Sequence, residues 1–311
     1  MRQIRFVASI VAVAFLAPGP GVCRVLRAGF GPGAEFVSIQ EAVDAAVSGD
    51  TIEVEDGTYP EQVTILGKNL TLRSRAGLGD LLPVTIAPTH LVANGLTPEG
   101  IAVSAAILIM DADVTLHGLN VSGSALDNPD DADILAGIAF VGSGASGKCQ
   151  FVYFWGSPFA KSTPIGEPER SPCGEQIYEG WYRSGTGILA YRSGPVSVES
   201  FRPAGVVALA SICSESLRVG GYWPQLFGRR IGVHIVGSGA VLDQAEIIGP
   251  STLVPSWGVL IHGDGNVVRT SMFRSLAIGV ELFGNDNSVF SNKFESSVTS
   301  PVLDHGDNDV R

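Results

Sequence analysis

In the last third of the chain, apolar residues fall at every second position within short runs, and each run is closed by Gly with Asn or Asp. Gly258-Val-Leu-Ile-His-Gly-Asp-Gly-Asn266 is followed 21 residues later by Gly279-Val-Glu-Leu-Phe-Gly-Asn-Asp-Asn287, and 22 residues after that by Pro301-Val-Leu-Asp-His-Gly-Asp-Asn-Asp309. The phrase recurs upstream from Gly232, Gly187, Gly137 and Ala106. One position into each copy stand Ile107, Ile138, Ile188, Val233, Val259, Val280 and Val302, all β-branched. Two further on stand Ile109, Phe140, Ala190, Ile235, Ile261, Leu282 and Asp304. Apolar residues at period two bury one face of a strand. No repeat is long enough to bury that face alone, so successive repeats must stack as parallel strands about 4.8 Å apart. Gly and Asn/Asp between the runs supply left-handed or bulged corners. A repeat of about 21–26 residues, three short strands with corners between them, predicts an all-β, single-stranded parallel β-helix. The longer gaps, 137 to 187 and 187 to 232, require an insertion or an extra coil, and Gly205-Val-Val-Ala-Leu marks the start of one such coil.

Upstream, Phe36-Val-Ser-Ile-Gln-Glu-Ala-Val-Asp-Ala-Ala-Val47 carries a helical period, with Ser38 as N-cap and Glu41 completing a capping box. Ile39, Val43 and Ala46 would form its apolar face, suited to plugging the open end of a solenoid. The first coils follow as Asp50–Val54, a turn at Asp56-Gly57-Thr58, Val63–Ile65 and Asn69–Leu72.

The run Ser38-Ile-Gln, Gly49-Asp-Thr-Ile-x-Val54, Gly57-Thr-Tyr-Pro-Glu61-x-Val63 and Lys68-Asn-Leu-Thr-Leu72 resembles the opening coil of the pectin-lyase-like right-handed parallel β-helix superfamily, in particular its pectin methylesterase branch. The downstream repeats resemble generic parallel β-helix repeats. The resemblance implies a single right-handed β-helix domain over residues 34–311, with the helix near its start serving as the N-terminal cap. It does not carry an activity with it. The esterase branch's Gln-Ala-Val-Ala and Gly-x-x-Asp-Phe phrases are absent, and Phe201-Arg-Pro-Ala204 lacks the Trp of its arginine phrase. The polygalacturonase carboxylate set and the pectate lyase Arg-x-Pro-x-x-Arg phrase are missing too. Gly57-Thr-Tyr-Pro-Glu61 is therefore read as a structural match, not a catalytic one.

Composition adds a compartment. Arg2 and Arg5 precede an apolar run from Phe6 to Ala17 that ends at Pro18-Gly19-Pro20-Gly21, the pattern of an export signal over residues 1–23 and too short for a membrane span. Export implies a secreted or periplasmic protein and permits disulfides. Of the four cysteines, Cys149 and Cys173 form the expected bridge and Cys213 the expected buried thiol. No Cys/His spacing suggests zinc, and neither metal nor cofactor is implied. The formal charge of −11, falling to −13 without Arg2 and Arg5, disfavours nucleic acid as a partner. A monomer is the expected state.

Residues 148–232 differ from the rest. They hold five of the six tyrosines, three of the four tryptophans, and nine basic residues against six acidic ones. An aromatic, Cys-containing insertion is expected at about 144–186. Aromatic faces stack on sugar rings and arginines hold carboxylates in a two-pronged grip. Tyr153, Trp155, Trp181, Tyr182, Arg183, Tyr191, Arg192 and Trp223 are thus the candidate substrate-binding residues, against the alternative that the insertion builds its own small core. A second column, Tyr191, Val236, His262, Phe283 and His305, faces outward; shielding of the sheet is the preferred reading and a sugar-binding ladder the other. Asp127-Asn-Pro-Asp-Asp-Ala-Asp133 lacks EF-hand spacing and reads as a solvated turn. The first functional reading is a secreted β-helix protein that binds extracellular polysaccharide, with or without processing it. A lyase or esterase acting on uronic-acid polymers and a non-catalytic surface or spacer protein are the alternatives.

Overall fold

A computed structural model of the chain describes residues 23–76, 84–154, 159–161, 169–174, 176–177, 181–199, 202–221, 225–250 and 256–311. Each coil lays one strand on each of three parallel sheets in turn. The first sheet runs over eleven described strands from Val25–Ala28 to Asp309–Val310. The second begins with Gly57–Tyr59, Val84–Ile86, Asn120–Val121 and Tyr153–Phe154 and continues to Lys293–Phe294. The third holds Val63–Leu66, Ala102–Met110, Ile134–Val141, Thr186–Tyr191, Ala204–Ile212, the end of Gln225–Val236, Trp257–His262, Ile278–Phe283 and Ser300–Asp304.

The register reproduces the sequence columns. Val63, Ile107, Ile138, Ile188, Leu209, Val233, Val259, Val280 and Val302 occupy successive rungs of the third sheet. Leu209 belongs to the coil that Gly205 announces. Down to Val280 these side chains lie in the interior with no exposure, each worth about 1.5–3 kcal/mol of burial.

Two kinds of corner residue do different work. After the strands of the third sheet, Gly67, Asp111, Gly142, Arg192, Cys213, Gly237 and Gly263 all take positive φ, so the chain turns through the left-handed region there. The glycine that opens each repeat answers to space instead. A Cβ at Gly258 would stand 2.5 Å from the Gly279 carbonyl oxygen, and one at Gly279 would stand 2.4 Å from that of Pro301. Inside the next corner, Asn266, Asn287 and Asn308 form a ladder in which each backbone N–H donates to the side-chain oxygen of the residue one coil on, at 2.9 Å.

The predicted helix spans Ile39–Ala45 and buries Ile39, Ala42 and Val43 against the first rungs. Ser38 Oγ accepts from the Glu41 N–H as expected. The carboxylate at this N-terminus is Glu61, which accepts from Ser38 Oγ, the Ile39 N–H and the Gln40 N–H. The glutamate of the Gly-Thr-Tyr-Pro-Glu phrase is thereby a helix cap, with the negative charge where the helix dipole favours it. Ahead of the helix, Val25–Ala28 already forms a rung beside Thr51–Val54, and Gly57–Tyr59, read as the end of a turn, is a strand.

The third sheet is apolar on its outer side as well. Val103, Ala105, Leu108, Ile134, Ala136, Ala139, Leu189, Val207, Ala210 and Ile212 form a second hydrophobic layer there, joined by Tyr182 and Tyr191. That explains why Ile134–Val141 is apolar at consecutive positions rather than alternating. The long connections between the second and third sheets supply cover. Gly95 lies so close over Leu108 that a Cβ would come within 2.5 Å of it, and the 3₁₀ turn Trp181–Ser184 packs on three strands of the sheet.

This placement corrects the cysteine pairing. Cys173 bridges Cys213, at a Cα separation of 5.7 Å, and Cys149 is the buried free thiol. Cys149 is on the first sheet between Leu116 and Val198, with its side chain in the interior. Cys173 and the turn Trp181–Ser184 lie on the outer side of the third sheet, where the corner residue Cys213 can reach Cys173 and Cys149, inside the solenoid, cannot.

Candidate functional site

The predicted site residues fall in several places. Tyr153 is half-buried on the second sheet, in register with Asn120 and bridged to Arg202. Tyr182 and Tyr191 are fully buried on the outer side of the third sheet, their ring centroids 6.3 Å apart. Arg183 is partly buried beside Tyr182. Arg192 occupies the corner after Thr186–Tyr191 and forms an ion pair with Glu99 from the connection at 87–101. The Tyr191 hydroxyl donates to the same carboxylate at 3.1 Å. Burial pushes the Glu99 carboxyl up, but the hydrogen bonds it accepts from Arg192, its own backbone N–H, Tyr191 and Thr97 together outweigh that and hold the group below its usual range. Trp181 opens the 3₁₀ turn. Trp155, Trp223 and the Trp181 side chain lie outside the described residues. Tyr182, Tyr191, Arg183 and Arg192 therefore come together around the docked insertion, while Tyr153 stands on another sheet.

From Tyr182 a row of rings continues along the outer side of the third sheet toward its C-terminal coils. Tyr182 and His234 are 6.4 Å apart, His234 and His262 5.5 Å edge to face, His262 and Phe283 5.0 Å stacked, and Phe283 and His305 4.4 Å stacked. The strand register creates it: His262 is paired with Phe283, while Val233, Val259 and Val280 one face over point inward. His234 is completely buried, and among the described residues neither of its ring nitrogens has a hydrogen-bond partner. Burial, aided by His262, holds its imidazole well below the ordinary range. Burial likewise lowers His262 to about 4. Both are neutral at neutral pH.

The row opens toward solvent at its far end. Glu281, only 9% exposed, receives a hydrogen bond from Trp257 Nε1 at 2.5 Å and faces His305 Nε2 at 2.9 Å. Trp257 and Phe283 are partly exposed and the His305 side chain is 46% exposed. A carboxylate held between an indole and an imidazole, beside a stack of rings, offers hydrogen-bond acceptance and flat apolar faces at one place.

The outward column His262, Phe283, His305 was legible in the repeat, and it does stack. Trp257 and Glu281 were missed. Trp257 immediately precedes a repeat glycine and Glu281 is two positions after the next one, so stacking the repeats brings both to the outer side of adjacent rungs. That register was a usable signal.

The chain aligns with the pectin methylesterase from Aspergillus niger over 94% of its length and 86% of that chain, with a TM-score of 0.51 and 15% identity. The fold is the pectin-lyase-like right-handed parallel β-helix. The carrot pectin methylesterase aligns at a TM-score of 0.45 and 11% identity, over 92% of this chain and 87% of that one. The GH136 lacto-N-biosidase from Eubacterium ramulus aligns at 0.48 and 10% identity, over 93% and 68%. No protein-family model matches the sequence, and no curated protein matches it.

Proposed function

We propose that this chain is a secreted or periplasmic β-helix protein that binds extracellular polysaccharide on the outer side of its third sheet. The observation that carries the reading is the cluster of a largely buried Glu281 with the partly exposed Trp257 and Phe283 and the exposed His305, rings and a carboxylate on one rigid surface. Rings stack on the apolar faces of sugars and a carboxylate accepts from their hydroxyls. The shared fold with a pectin methylesterase supports a carbohydrate ligand by analogy. The Cys173–Cys213 bridge supports an oxidising compartment. The docked insertion, with Tyr182, Tyr191, Arg183 and Arg192, serves as the wall at the other end of the row. Calorimetric titration with a panel of plant and bacterial polysaccharides tests this. Saturable binding that Trp257→Ala weakens at least tenfold is expected; absence of binding across the panel overturns the reading, and release of product marks processing.

A further inference from the structure

We infer that the cluster at Trp257, Glu281, Phe283 and His305 takes neutral sugars and rejects uronic-acid polymers; this rests on the reading of the cluster as a polysaccharide site. Among the described residues, the carboxylate at the centre of the cluster is partnered by the Trp257 indole N–H and the His305 imidazole. Neither is a Lys or an Arg. Elsewhere on the solenoid, carboxylates that are largely or partly shielded do meet such cations: Glu53 pairs with Arg73, Glu55 with Arg75, Asp243 with Arg269, and both Glu246 and Glu295 with Arg274. Glu281, beside stacked rings, has no such cation as a partner among the described residues.

A polyuronate needs the opposite arrangement, a cation forked onto each carboxylate. Against Glu281 its carboxylates meet a like charge, on a chain whose formal charge is already −11. A neutral sugar meets no such opposition. Its hydroxyls donate to the lone pairs that Glu281 has left over after the indole and imidazole, and its apolar face lies on the rings. Arg192, at the corner after Thr186–Tyr191, is held by Glu99. The specificity so derived comes from a repulsive element as much as from an attractive one.

Binding of polygalacturonate and of an uncharged xylan or glucomannan to the full chain, to Glu281→Gln and to Trp257→Ala tests this, with circular dichroism as the control for folding. The wild type should bind the neutral polymer at least about tenfold more tightly than polygalacturonate at low salt. Glu281→Gln should narrow that gap, and raising the salt should narrow it in the wild type while leaving neutral binding unchanged. A wild type that prefers polygalacturonate overturns the inference while leaving polysaccharide binding intact. So does neutral binding indifferent to both substitutions. Failure to bind either polymer removes the underlying reading as well.

Discussion

Replacing His262 by Phe keeps a ring on Phe283 and removes a titrating group from a closed apolar site. His262 is 1% exposed and its imidazole is lowered to about 4 by burial. In the unfolded chain it would titrate near about 6.5. Between those values the unfolded state binds the proton and the folded state does not, so folding stability falls as pH drops through this window and falls no further below about 4. The separation is worth on the order of 3 kcal/mol in all, about 2 kcal/mol of it between about pH 7 and about pH 4.5. Urea unfolding at the two pH values, for wild type and His262→Phe, measures the difference. The variant should lose about 2 kcal/mol less on acidification than the wild type does, whatever its stability at neutral pH. His234 contributes in the same direction and is retained in both proteins; burial is the main cause of its lowering and His262 the lesser one, so most of its contribution cancels. Equal losses in the two proteins would refute the claim that His262 is buried in its neutral form.

Other consequences follow from the same architecture. Gly258→Ala forces a Cβ to within 2.5 Å of the Gly279 carbonyl oxygen, a backbone atom that cannot swing aside; thermal unfolding should show a loss of at least about 2 kcal/mol, whereas Gly265→Ala, whose site is open but whose φ is +68°, should cost about 1–2 kcal/mol. Cys213→Ser opens a bridge spanning 40 residues and should lower stability by up to about 4 kcal/mol in denaturant titration. In the native oxidised protein Cys149 should resist thiol reagents until unfolding, because it is buried and burial raises its thiol to about 12. Reaction of Cys149 at the native-state rate of an exposed thiol would contradict the placement of that strand.

How much of this could be read from the amino acids differs from feature to feature. The inward column from Ile107 to Val302 was legible because every coil repeats the same demand for an apolar residue at the same height. Helix and cap were legible for local reasons, Ser38 and the spacing of Ile39 and Val43. Glu61 was not, since its role as the capping carboxylate depends on a bend more than twenty residues further along the chain. The disulfide was mispaired because spacing along the chain says nothing about which side of a sheet a cysteine faces. Cys149 and Cys213 are separated by the solenoid wall, and only the three-dimensional path of the insertion decides between them. The aromatic and basic segment was legible as unusual, but Tyr182 and Tyr191 are used to dock the insertion on the sheet. Trp257 and Glu281 escaped notice because neither is unusual alone; their meeting is a property of the register.

Oxidative footprinting of the protein with and without a bound neutral glycan tests the central claim most directly, because it asks which side chains the ligand covers. Protection at Trp257, Phe283 and His305, with His117 and Phe151 beside the first sheet unaffected, is the predicted result. Protection of His117 and Phe151 with Trp257 and His305 still reacting at their free rates would contradict it.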